Sequence, residues 1–195
     1  MIQRFETLVH NSYRNDSAPT RSLAVSPYQT GASARTGEER TMTAKLKAAA
    51  SLVFFVVLVA AAASGGALFK PGAWYAGIAK PSWTPPNWLF GPVWSVLYVM
   101  IAFAGWLVWR RGPRGWALAA WGIGLFLNFA WSWLFFGQHW IAAAAVNIVA
   151  LWLSIVAFLA ATRCTNTTAF WLFLPYLLWV SFATALNLAI WRLNP

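Results

Sequence analysis

Polar and aromatic side chains recur at three- and four-residue steps through otherwise apolar sequence. Trp94 and Tyr98 form one pair; Asn128, Trp131 and Phe135 form a second set; Asn147, Leu151 and Ser154 a third; Trp179, Ala183 and Asn187 a fourth. On a helix these steps place each set along one face. The chemistry on offer is stacking against a flat ring and neutral hydrogen bonding. An Asn amide in an apolar helix needs partners, because lipid supplies none. Two readings compete. One is hydrogen bonding between helices, worth about 0.6–2 kcal/mol per bond. The other is a cavity walled by Trp faces and a few amides, which suits a flat aromatic ligand better than an ion.

The missing residues narrow the chemistry further. Glu6, Asp16, Glu38 and Glu39 are the only acids, so residues 40–195 hold no carboxylate side chain. Paired-carboxylate acid–base catalysis, a carboxylate metal site and the Asp of a catalytic triad are therefore absent from that stretch. His10 and His139 are too few for a His-rich metal site, and Cys164 is alone. No metal and no resident cofactor are expected. The net charge of +10 does not indicate nucleic acid, because the basic residues stand between apolar runs, as they do at the ends of membrane helices.

Composition points to the elements that would position these residues. Of 195 residues, 60% are hydrophobic and only 9% charged, against about 25% charged in an ordinary soluble domain. A membrane-spanning helix needs about 20 apolar residues. Residues 48–69 are uncharged and make a first span. Pro81, Pro85 and Pro86 delay the second, which runs from about residue 88 to 109 with Pro92 in its first turns, where a missing N–H costs least. The uncharged stretch 115–162 would be about 72 Å long as one helix, far more than a bilayer core. It must break at Gly137-Gln138-His139, giving spans near 115–136 and 140–162. A fifth runs from about 169 to 193. The predicted fold is all-α, a polytopic five-helix membrane bundle with its termini on opposite sides.

Orientation follows from Lys and Arg near the helix ends. Arg40, Lys45, Lys47, Arg110, Arg111, Arg114 and Arg163 fall on one side, and Lys70, Lys80 and Arg192 on the other. The richer side lies inside, which puts the long loop at 70–87 outside. Three prolines stiffen that loop, and Trp74, Tyr75, Trp83 and Trp88 make it aromatic. It reads as an interfacial aromatic belt or as a lid built from Trp74, Tyr75, Lys80, Pro81, Pro85 and Pro86.

Residues 1–44 have a different composition, dominated by Ser, Thr, Asn, Arg, Gly and Pro without apolar periodicity. They read as a disordered leader. Three origins stay open: an upstream start with Met42 the true initiator, a transit-like presequence that the acids argue against, and a regulatory tail. Residues 45–195 form the membrane domain.

The segments Trp74-Tyr75-Ala76-Gly77, Lys80-Pro81-Ser82-Trp83-Thr84-Pro85-Pro86 and Gly91-Pro92-Val93-Trp94-Ser95-Val96-Leu97-Tyr98 closely resemble the TspO/MBR family. So do Asn128-Phe129-Ala130-Trp131 with Phe135-Phe136-Gly137, Pro175-Tyr176-Leu177-Leu178-Trp179, and residues 186–194. The resemblance spans residues 48–195 in order. It implies a five-helix bundle, commonly a homodimer, in a bacterial cell membrane, with an outer or organelle membrane as the alternative. It implies binding of porphyrins such as protoporphyrin IX, in transport or in stress and redox sensing. The matching pocket positions are Trp94, Trp179, Asn128 and Ala183, with Trp83, Tyr98 and Trp131 adjoining. Light-dependent porphyrin breakdown is an alternative that would make the porphyrin a substrate and Trp94 and Trp179 its photochemical residues. A ligand-regulated interaction protein and a sterol or lipid transporter are further alternatives. Leu188 and Ala189 depart from the animal members' sterol motif, and Asn147 replaces an acid found in some members. Porphyrin propionates would pair with Lys80 or Lys70 at the pocket mouth. Ala120-xxx-Gly124, Ala61-xxx-Gly65 and Ala62-xxx-Gly66 each permit a close helix contact, within the chain or across a dimer; the resemblance favours Ala120-xxx-Gly124 for the dimer.

Overall fold

The computed structural model describes residues 27–112 and 115–195, with side chains from residue 38 onward. Six α-helices follow in chain order: α1 (Pro27–Leu68), α2 (Ala73–Gly77), α3 (Phe90–Arg110), α4 (Gly115–Ser132), α5 (Ile141–Thr162) and α6 (Thr167–Leu193). Five of them, all but the short α2, are long and apolar enough to cross a bilayer. The spans expected from charge spacing are all present, with boundaries displaced by a few residues except at α1.

That helix begins at Pro27 rather than at residue 48. Residues 27–44, expected to be disordered, are helical; residues 1–26 of the expected leader lie outside the described residues. Ala, Arg, Glu, Gln and Met in this stretch are sound helix formers, and proline fits a first helical turn. Apolar periodicity, on which the expectation of disorder rested, measures a face to bury and not the capacity to be helical.

Lys45–Pro195 forms one compact unit. Within it, α5 packs between α4 and α6, and α6 also packs on α3. The first helix joins α3 and α4: Phe55 lies 5.1 Å from the Trp121 ring, and the Trp106 indole N–H donates to Ser51 Oγ at 3.0 Å. Gly65 sets the approach of α1 to α4, since a Cβ there would stand 3.1–3.3 Å from Phe129. Gly124 similarly faces Ser154 Oγ of α5, 3.1 Å from a would-be Cβ. The Ala120-xxx-Gly124 motif thus serves packing within this chain, with both residues buried.

The ends of the helices are tied by polar contacts. Arg111 Nη1 donates to Thr165 O at 2.6 Å, joining the turns after α3 and α5. Asn166 caps α6 by accepting from the Ala169 N–H at 3.2 Å. Pro175 lies inside α6 and removes the hydrogen bond that would have reached the Trp171 carbonyl. Beyond Ser132, α4 continues as a π-turn over Trp133–Gly137, closed by Gln138 N–H donating to Trp133 O at 2.9 Å. The extra residue per turn re-aims Phe135 and Phe136, a distortion common at functional sites.

Five spans separate Lys45 from Leu193, so a reporter fused just before Lys45 and one fused just after Leu193 should read out on opposite sides of the membrane. Signals on the same side would remove one span from the bundle.

Candidate functional site

A cavity of about 520 Å³ opens at the end of the bundle where the 69–89 loop lies. Its walls come from five segments. The α3 helix supplies Trp94, Ser95 and Tyr98; α4 and its π-turn supply Asn128, Trp131, Ser132, Phe135 and Phe136; α6 supplies Ala183, Leu186, Asn187 and Ile190. Small residues of α1, namely Ala63, Gly66 and Ala67, leave room, and Pro71, Tyr75 and Asn87 of the loop complete the wall. None of its described lining residues is charged.

Helical spacing assembles this wall as expected on α3 and α4. Trp94 and Tyr98, four residues apart, stack with ring centroids 5.2 Å apart and planes 27° from parallel. Trp131 and Phe135 stack at 5.3 Å and 19°. The polar atoms behind these rings form two cross-helix links. Tyr98 Oη donates to Asn128 Oδ1 at 3.0 Å, while Asn128 Nδ2 donates to Tyr176 Oη at 3.3 Å, joining α3, α4 and α6. Trp131 Nε1 donates to Asn187 Oδ1 at 2.8 Å, a second link between α4 and α6. The two readings of the Asn residues are therefore both realised, since the amides bridge helices and border the cavity. Asn147 does only the first: its Nδ2 donates to Leu127 O at 3.2 Å across the α4–α5 contact.

The structure brings together Trp94, Tyr98, Asn128, Trp131 and Ala183 of the expected ligand residues, and leaves out Trp179 and Trp83. Trp179 borders a separate apolar groove between α3 and α6, with Pro92, Met100 and Pro175 among its neighbours. Its ring meets Phe90 edge-on at 5.7 Å, which puts it one ring behind the cavity wall. Each four-residue step rotates a helix position by about 40°, so Trp179 is turned roughly 80° from Asn187. Half-exposed Trp83 rests edge-on against Phe182 at 5.8 Å, in the same outer cluster. The partners missed by the site expectation are Tyr176 and Asn187. Asn187 was visible as the third member of the Trp179 and Ala183 set. Tyr176 carries no spacing signal, because its role depends on Asn128, 48 residues away.

The loop residues divide as well. Tyr75 reaches the cavity, and burial pushes its phenol above the ordinary range. Trp74 turns instead onto His139, stacking at 4.1 Å with planes 13° apart. His139 has φ +60°, the left-handed conformation that lets the chain reverse between the π-turn and α5. Lys80 does not project into the cavity mouth. Its ammonium donates to the carbonyls of Tyr75, Ala76 and Ile78 and stands 4.8 Å over the Tyr75 ring. An ammonium with three carbonyl partners is a staple for its own loop rather than a free partner for a ligand carboxylate. Thr84 closes the next turn by donating through its N–H and Oγ1 to Pro81 O, at 3.0 and 2.7 Å. Pro85 and Pro86 then lead into the short 3-10 turn Asn87–Leu89.

A family model described as the TspO/MBR family matches residues 53–192. Over 134 residues the chain is 40% identical to the protein CrtK of Rhodobacter capsulatus, covering 67% of this chain and 84% of that protein. It is 42% identical over 131 residues to a tryptophan-rich protein TspO of Chlorobaculum tepidum, covering 65% and 83%. It is 37% identical over 126 residues to the human translocator protein, covering 62% and 75%.

Proposed function

We propose, for a chain that belongs to the TspO/MBR family, that the cavity binds a flat tetrapyrrole of the protoporphyrin IX kind within the membrane. The observation that carries this reading is the wall itself. About 520 Å³ of space is lined by Trp94, Trp131, Tyr98, Phe135 and Phe136, with Asn128 and Asn187 behind them and no charged side chain among the described lining residues. That volume falls within the range of about 300–1,000 Å³ typical of small-molecule sites. Stacking rings favour a planar π-system, and a neutral wall favours leaving the ligand's carboxylates toward the mouth, where exposed Lys70 stands nearby in sequence.

The physiological role that fits is porphyrin transport or stress and redox sensing by an integral membrane protein, in a bacterial cell membrane with the loop outside. The excess of Lys and Arg at the opposite helix ends supports that orientation. Homodimerisation belongs to the same proposal. A second reading, light-dependent porphyrin breakdown, is favoured by one feature. Trp94 is in the wall and stacked on Tyr98, so an oxidisable indole would touch the bound ring.

Titration of detergent-solubilised protein with protoporphyrin IX, in the dark and under illumination, separates these. Trp94→Phe should weaken dark binding about three- to tenfold, as expected for one lost stacked indole. Trp116→Phe, at an exposed position, should change it little. Bleaching by the parent that Trp94→Phe loses would favour breakdown over transport. Absence of saturable porphyrin binding by the parent would overturn the proposal.

A further inference from the structure

We propose that Asn194 is the positioning residue that holds the loop over the cavity, through a two-point clasp on Ala79 that opens and closes as ligand enters and leaves. This rests on the reading of the cavity as a ligand site. The Asn194 side chain imitates a backbone peptide. Its Nδ2 donates to Ala79 O at 2.9 Å, and its Oδ1 accepts from the Ala79 N–H at 3.0 Å. This is the reciprocal pairing that two residues of an antiparallel ladder make. The second Nδ2 proton goes to Ile190 O at 2.8 Å, which fixes the amide against its own helix.

The position of the clasp gives it leverage. Asn194 caps α6 just beyond Ile190 and Asn187, both of which line the cavity. On the other side, Ala79 lies next to Lys80, whose three carbonyl bonds make the segment from Tyr75 to Lys80 a single stiff piece. Tyr75 of that piece is itself in the cavity wall. Among the described residues, the Asn194 amide at the end of α6 makes the only hydrogen bonds that tie the 70–86 loop to α3, α4, α5 or α6. The remaining attachments are ring contacts, such as Trp74 on His139 and Trp83 on Phe182. Both clasp bonds are exposed, so water competes for them and they break far more readily than the buried links at Asn128.

A loop that must open for passage in either direction slows entry and exit together and leaves affinity nearly unchanged. The test uses the full chain in detergent. Asn194→Ala removes both bonds, and Asn194→Asp keeps the acceptor for the Ala79 N–H but loses the donors. Without ligand, amide exchange at residues 78–80 should speed up at least fivefold in Asn194→Ala, and at least as much in Asn194→Asp, whose second carboxylate oxygen would face the Ala79 and Ile190 carbonyls without a proton to share. With protoporphyrin IX, association and dissociation should both quicken about fivefold in Asn194→Ala, and Kd should stay within threefold of the parent. Unchanged exchange and unchanged rates would overturn the proposal. So would a faster dissociation matched by an equal loss of affinity, the mark of a ligand contact. If the parent takes up no porphyrin, the proposed function fails, and exchange in the unliganded protein alone decides the clasp. If Asn194→Ala does not fold, Asn194→Asp carries the same comparisons.

Discussion

Gly105→Ala should be among the most damaging single-methyl changes in the bundle, lowering stability by about 2–4 kcal/mol. A Cβ at residue 105 would stand 2.5–2.8 Å from the Trp121 indole, closer than real contacts allow. Trp121 has little freedom to retreat. Its Nε1 donates to Ile101 O at 3.0 Å, its ring packs on Phe55, and the residue is buried. Accommodating one methyl therefore means overpacking, about 1–3 kcal/mol, together with loss of the indole bond, about 1 kcal/mol. Thermal unfolding in detergent measures the effect. Trp121→Phe, which removes the colliding part of the ring, should make Gly105→Ala much less costly when the two are combined. This is the coupling expected of residues in direct contact. A Gly105→Ala protein that melts with the parent would mean that α3 and α4 do not meet as described.

The largest expected functional effect is at Ala183. Replacement by Phe places a ring in space that the cavity leaves open on the α6 wall. Protoporphyrin IX affinity should fall by more than tenfold, about 1.4 kcal/mol or more, while the melting temperature holds, because the added ring fills a void instead of displacing a neighbour. Trp179→Phe, one helical turn earlier, should change affinity less than twofold, since Trp179 borders the α3–α6 groove and not the cavity. A porphyrin titration of the two variants distinguishes this wall from one that includes Trp179. Equal losses in both would place the ligand on the other side of Phe90.

The sequence by itself determined the solvent and the segmentation. Residues 40–195 lack carboxylates, and their basic residues stand between runs of about 20 uncharged residues; lipid admits little other than helices from such a pattern. Length required a break in the 115–162 stretch, and the polar Gly137-Gln138-His139 located it. The pairs Trp94 with Tyr98 and Asn128 with Trp131 were legible because a helix brings residues three or four apart together, whatever surrounds it. Other features were decided by tertiary structure. Helical spacing says which residues share a face but not where that face ends, so Trp179 was grouped with Ala183 although the cumulative turn carries it to another groove. Lys80 carries the same charge whether it serves a ligand or its own loop, and only the folded loop places three carbonyls around it. Asn128 with Tyr176, Trp131 with Asn187, and Asn194 with Ala79 join residues 48, 56 and 115 positions apart. Local periodicity carries no information at those separations, because the partners are chosen by how the helices rotate and pack against one another.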